Sequence, residues 1–378
     1  MQYNCLRQSV CENGAQCFQD SPTCPQKSIC VCNECFYGTR CQFTTKGFGL
    51  SLDAILGYRI QPYMSFQEQP TTVQVSLILT IIMFILGLVN SILSLITFKI
   101  KKLRQVGCGL YLFGSSITSL LITIIFILKF SILLLLQMAI ITNQSFLNIQ
   151  CILIDFLIRI CLSMDQWLNA CVAIERALTV RSGVNFNKHK SKKIAKWMIC
   201  VLIIITITTA IHDPIHRRLI NDDDEEEKRT WCIVRYSKEI EIFNSIVNII
   251  HFLGPFLINL LSALFIIIVG ARQRACARPR QSYREHLLEQ FREHRQLLIA
   301  PFILIILAFP RLYISFISNC MKSAHNSWLY LIGYFISFVP SMLTFVVFVL
   351  PSDLYSKESC ETIRNHRQYI RQQLCFKL

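Results

Sequence analysis

Seven long apolar runs dominate this chain, near 75–98, 108–137, 150–174, 196–211, 242–270, 297–319 and 328–350. At about 1.5 Å of rise per residue, a helix of about 20 apolar residues crosses the roughly 30 Å of hydrocarbon in a bilayer. With 53% of its 378 residues hydrophobic and only 16% charged, the chain carries more apolar side chain than one soluble core absorbs. Lipid is the solvent that accommodates the surplus. The expected fold class is therefore an all-α membrane protein.

A net charge of +15 raises nucleic acid as a partner, so the placement of the charge matters more than its sum. The excess sits in alternate connections: Lys99, Lys101, Lys102 and Arg104 after the first run, Lys188, Lys190, Lys192 and Lys193 before the fourth, Arg272 and Arg274 after the fifth. That pattern is a lipid-bilayer signature and not a nucleic-acid footprint. By the positive-inside rule these loops are cytoplasmic, which predicts an extracellular N-terminus, seven crossings, a cytoplasmic C-terminus and a multi-pass protein of the plasma membrane. The sequon Asn143-Gln144-Ser145 then falls outside, where Asn143 is a candidate for glycosylation. No separate apolar stretch precedes the first 45 residues, so either the first span acts as an uncleaved signal-anchor or the sequence begins downstream of a cleaved one.

Eight cysteines, at 5, 11, 17, 24, 30, 32, 35 and 41, crowd a segment too short to bury a core, and cross-links are expected to hold it together. A zinc knuckle is the competing reading, disfavoured because the segment has no histidine and faces an oxidising compartment. The run Cys11-Glu-Asn-Gly-Ala-Gln-Cys17, the pair Cys30 and Cys32, and Phe36-Tyr37-Gly38 before Cys41 resemble the EGF-like module. The resemblance implies pairs Cys5–Cys17, Cys11–Cys30 and Cys32–Cys41, leaving Cys24–Cys35 as an extra bridge. Acidic residues that would bind calcium are not evident near Met1, so this head serves protein recognition or spacing.

Cys151 opens the third run, and Glu175-Arg176-Ala177 closes it with Arg176 25 residues later. Asn90, Trp197, Pro255, Pro310 and Pro340 follow in order in the first, fourth, fifth, sixth and seventh runs. Over roughly 75–360 this set resembles rhodopsin-like G-protein-coupled receptors. The resemblance implies a seven-transmembrane helix bundle, a Cys151–Cys232 disulfide, and Glu175 with Arg176 as the switch that meets a heterotrimeric G protein. Paired with Glu175, Arg176 would hold the resting state. For a lock from Arg176 to the sixth helix the matching position is Gln290, and the nearest acids are Glu289 and Glu293.

Several family positions differ. Ala177 replaces an aromatic, Ala308 a tryptophan, and Val339-Pro340-Ser341-Met342-Leu343 stands where Asn-Pro-x-x-Tyr is usual; Ser115 or Ser116 replaces the second-helix aspartate. Asp165, eleven residues before Arg176, occupies a position that is usually serine. These differences point to an exchange in which Asp165 supplies the charge and Ser116 the hydroxyl of a polar core shared with Asn90, with sodium as a possible guest. A protonated Asp165, or one paired with a backbone carbonyl of the seventh helix, is the alternative. A carboxylate at that depth is a functional signal by default.

Asp155, Arg159 and Arg311 overlap the family's ligand cavity, although Asp155 and Arg159, four apart, could simply pair with each other. The family's amine-binding aspartate would fall at Ile158, and the seventh run has no lysine for a retinal Schiff base, so neither an amine held in that way nor retinal is expected. The acidic run Asp222 to Glu227 could steer a basic peptide, and the ligand is expected to be a peptide or protein. After Pro351 a short interfacial helix is expected, with Cys360 a palmitoylation candidate. No catalytic constellation or phosphate loop stands out, and neither enzyme activity nor a cofactor is expected. The expected organisation is an extracellular module at 1–45, a linker at 46–74, the bundle at 75–350 and a cytoplasmic tail at 351–378. The competing function is a non-signalling adhesion or scaffold protein that binds through its head.

Overall fold

The computed structural model describes residues 3–4, 11–21, 28–33, 36–38, 40–44, 52–223, 228–277, 303, 306, 309, 323–352, 355–362 and 364. Five uninterrupted helices among them are long and apolar enough to cross a membrane. They are the first span, Thr71–Phe98, the second, Gly107–Gln137, the third, Gln144–Ser182, the fourth, Lys188–Ala210, and the fifth, Lys238–Ala277. Each outruns its apolar run by up to eight residues at an end, because a helix continues past the hydrocarbon wherever polar side chains find water. Asn143 and Asn187 begin the third and fourth spans by accepting the backbone N–H groups of Phe146 and Lys190, the usual role of asparagine at an N-cap. The sixth run lies almost wholly outside the described residues. The start of the first span and the second-to-third connection lie at the entry end of the bundle; the first-to-second connection lies at the far end.

The first two spans turn their small hydroxyl residues inward. In the first span Ser76, Thr80, Ser91, Ser94 and Thr97 are fully buried, while Ile78, Ile82, Ile85, Leu86 and Val89 are exposed. The second span mirrors this with Ser115, Ser116, Ser119 and Thr123. In lipid an outward Ile is already solvated, so small hydroxyl residues gain most by facing a neighbour and letting backbones approach. Ser91 and Ser119 hydroxyls meet at 2.8 Å. At Gly87 a Cβ would fall 2.9 Å from Thr123 Oγ1, so glycine fixes how closely these two spans run.

The seventh run reads as one helix from 328 to 350, whereas the structure divides it into Ser323–Ile336, Val339–Met342 and Thr344–Phe348. Pro340 lacks an N–H and interrupts the ladder. Neighbours satisfy the backbone there: Ser119 Oγ donates to Ser341 O at 2.5 Å, and Asn90 Oδ1 accepts the N–H groups of Phe345 and Val346 at 3.1 and 3.3 Å. Non-helical backbone survives at membrane depth only with such partners. Asn90→Leu is therefore expected to strand two half-buried donors at membrane depth, destabilising the fold by about 1–3 kcal/mol, readable as a lowered thermal midpoint of the detergent-purified chain.

At the entry end, strands Arg217–Asp223 and Lys228–Val234 form an antiparallel hairpin in which Leu219 faces Cys232. The disulfide Cys151–Cys232 pins it over the third span. Of the acidic run, Asp222 and Asp223 end the first strand, and residues 224–227 lie outside the described residues. At the far end, helical residues from Tyr355 onward pack back on the bundle: Tyr355 stacks edge-on against Phe98, and Ser359 Oγ accepts from Thr97 at 2.9 Å. Cys360 is exposed.

The N-terminal module is built on short strands. Gln16–Gln19 pairs with Ser28–Val31, and Phe36–Tyr37 with Phe43–Thr44. Disulfides join Cys11 to Cys30 and Cys32 to Cys41. Cys17 is also in a disulfide; Cys5, its expected partner, and the pair Cys24 and Cys35 lie outside the described residues.

Candidate functional site

Charged side chains that sequence places far apart converge at the entry end. Lys129 Nζ, from the second span, lies 2.7 Å from Asp53 Oδ2 and 3.0 Å from Asp155 Oδ2. Arg217, from the hairpin, reaches Asp155 Oδ2 through Nη1 at 2.6 Å and Asp213 Oδ2 through Nε at 3.0 Å. Asp213, at the end of the fourth span, also accepts from Tyr236 Oη at 2.5 Å and lies 3.7 Å from Arg159 Nη1. Arg159 donates to Asn248 Oδ1 at 2.5 Å and to Asn244 of the fifth span. The cluster thus joins three cations to three carboxylates in one buried chain, the arrangement that offsets the desolvation of each ion. Burial and then the Asp213 carboxylate hold the Tyr236 phenol above its usual pKa, so it remains a neutral donor. Burial alone would lower the Arg217 pKa, but Asp155 and Asp213 more than offset it and hold the guanidinium charged.

This corrects one expectation. Asp155 and Arg159 do not bridge each other: Asp155 turns to Lys129 and Arg217, and Arg159 to Asp213 and the two asparagines. Arg311 lies outside the described residues. The sequence reading missed Lys129, Asp53, Asp213 and Arg217. Lys129 carried a signal, being a lysine inside an apolar run; Asp53 sat in an apparent linker and carried none.

Midway along the third span, Asp165 is buried beside Asn169. Ser115 Oγ donates to its Oδ1 at 2.6 Å, Thr118 Oγ1 lies at 3.4 Å, and Asn169 Nδ2 reaches Oδ2 at 3.4 Å. Ser116, the expected hydroxyl, instead donates to Leu112 O within its own helix. Successive residues on a helix point about 100° apart, so only one of the two serines can face the third span. Asp165, Asn169 and Asn259 line a cavity with Pro340 and Ser341. Its near partners are oxygen and amide groups; among the described residues it has no ion pair.

At the far end Glu175 and Arg176 are both buried, yet they do not pair, contrary to expectation. Glu175 Oε1 accepts from Ser191 Oγ at 2.5 Å, and Ser191 Oγ accepts from Gly107 N at 2.9 Å, which links the third, fourth and second spans. Arg176 turns the other way and lies 5.3 Å over the Phe348 ring of the seventh span. Its Nη1 has no hydrogen-bond partner among the described residues. Gln290, Glu289 and Glu293 of the expected lock lie outside them.

Long apolar helices with a buried ionic cluster at one end and a buried arginine at the other are the frame of a multi-pass membrane protein. The family model described as 7 transmembrane receptor (rhodopsin family) matches residues 89–347. The chain belongs to that family: it is a G-protein-coupled-receptor-type protein with a seven-transmembrane bundle and a small disulfide-rich N-terminal module. Comparison with curated proteins finds no match.

Proposed function

We propose that this receptor carries an extracellular peptide or protein signal to a heterotrimeric G protein, with its N-terminal module outside the cell and its basic connections inside. The observation that carries the reading is Arg176, a buried guanidinium with an unpartnered nitrogen at the basic end of the bundle. A group turned away from Glu175, lying over Phe348 with one nitrogen unpartnered among the described residues, is placed to donate to a carbonyl or carboxylate of a docking protein. The cysteine-dense module is read as EGF-like and as a contact for the ligand. Asn143, exposed at a helix start, is the proposed glycan site, and exposed Cys360 the proposed lipid attachment.

The oxygen-rich surroundings of Asp165 fit a hard monovalent cation. Asp165, Ser115 and Asn169 would hold sodium, which supplies the positive charge that the buried carboxylate otherwise lacks among the described residues.

The test is G-protein activation in cells displaying the full chain, with and without a panel of peptides. Arg176→Ala is expected to abolish both basal and stimulated signals at unchanged surface level, and removal of residues 1–45 to weaken only the stimulated one. Silence from a surface-displayed chain would instead assign it to adhesion or scaffolding through its head.

A further inference from the structure

The stretch between the module and the first span has the look of a connector, yet its middle is among the most deeply buried parts of the molecule. Leu52, Ala54, Ile55, Leu56 and Ile60 are each at most 4% exposed. They share one apolar cluster with Phe126 and Phe130 of the second span, Ile158 of the third, and Tyr330, Leu331 and Tyr334 of the seventh. The helical turn Leu52–Leu56 packs chiefly on Ser323–Ile336, and Gly57–Arg59 reaches the second span. The chain enters the bundle and then leaves it. Gln61 and Gln69 exchange backbone-to-amide hydrogen bonds at 2.9 and 2.7 Å, closing a loop that returns the backbone to Thr71, and Tyr63 at its tip is 77% exposed.

Two further features tie this segment to the entry end of the bundle. Asp53 contributes the third carboxylate of the ionic cluster through Lys129. Without it, Lys129, Arg159 and Arg217 would face only Asp155 and Asp213 among the described residues, so the bundle and hairpin alone are one negative charge short. The hairpin also closes over the segment: a Cβ at Gly57 would fall 2.6 Å from Trp231 Cζ3, and Trp231 is itself 1% exposed. Glycine is what lets the indole lie on the chain, and the Cys151–Cys232 disulfide holds the strand that carries Trp231.

We infer that the space Leu52–Ile60 fills between the spans, here the entry-end cavity, is a binding site for a short aliphatic segment bearing one carboxylate, and that Leu52–Ile60 is its tethered occupant. An external ligand of this site is an acidic, aliphatic peptide that takes the place of Asp53 and its neighbours. The inference names the ligand class for the receptor reading above and rests on that reading only for its signalling consequence; the measurements below use no G protein, so either can fail alone.

Leu56→Cys and Tyr63→Cys, each in the full chain on intact cells, are compared for reaction with a membrane-impermeant maleimide. Leu56→Cys is expected to react roughly tenfold or more slowly, because labelling requires local opening. Equal rates would mean that the segment is not seated. In parallel, a fluorescent peptide of residues 48–62 is titrated onto the native chain and onto an Asp53→Asn/Gly57→Val chain, whose own segment is disabled. It should bind the double variant roughly tenfold or more tightly, since the native site is already filled, and an Asp53→Asn peptide should lose that gain. Indifference to the carboxylate, or equal binding to both chains, overturns the proposal. Should the double variant fail to reach the surface, the maleimide rates decide alone.

Discussion

Lys129→Ala is expected to lower the stability of the folded receptor by about 3–5 kcal/mol, the usual result of removing one partner from a buried ion pair. The side chain is 5% exposed and is shared between Asp53 and Asp155. Its loss leaves two carboxylates facing each other without the ammonium that joins them. Thermal inactivation of the detergent-solubilised chain reads the effect. Lys129→Met combined with Asp53→Asn should recover part of the loss, because the second substitution removes one of the stranded charges. The exposed pair of Lys102 with Glu358 is the contrast, and Lys102→Ala should leave the midpoint unmoved. A Lys129→Ala chain as stable as the native one would show that the cluster does not hold the entry end together.

The second large effect is expected at Asp165. A cation bound to the folded chain at a hundred times its dissociation constant stabilises it by about 2.7 kcal/mol. Exchanging sodium for choline should therefore lower the thermal midpoint of the native chain by several degrees. Asp165→Asn keeps the hydrogen-bonding shape but removes the charge, and should abolish the dependence on sodium. Ser115→Ala should weaken the response, whereas Ser116→Ala should not, since only Ser115 faces the carboxylate. A sodium response that persists in Asp165→Asn would locate the ion elsewhere.

Much of the architecture was legible because membrane-spanning helices advertise themselves. A run such as 108–137 has few alternatives once lipid is the solvent, and the spacing from Cys151 to Arg176 gave the family. Side-chain partners were less legible. Choosing between Ser115 and Ser116 requires the rotation of the second span about its axis, and two adjacent serines leave that open. Asp155 and Arg159 satisfied a local pairing rule, but Lys129, Arg217, Asp213 and the asparagines of the fifth span offered better partners from other elements. Asp53 was illegible for a different reason. A five-residue helical turn of Leu-Asp-Ala-Ile-Leu is too short to show periodicity, and its burial comes entirely from surfaces the rest of the chain supplies. The acidic hairpin run reads as a guide for a basic ligand, whereas the inferred occupant, through Asp53 on Lys129, is acidic.

The indole over Gly57 also bears on time. A molecule competing for a filled and roofed cavity waits for the roof to open, so its association rate levels off as its concentration rises instead of climbing toward the diffusion limit. Once seated beneath Trp231, it leaves only at the next opening. Slow onset and long residence would then be properties of the receptor's lid as much as of the ligand. If the cavity stands open one part in a hundred, the measured affinity falls about a hundredfold below the intrinsic one.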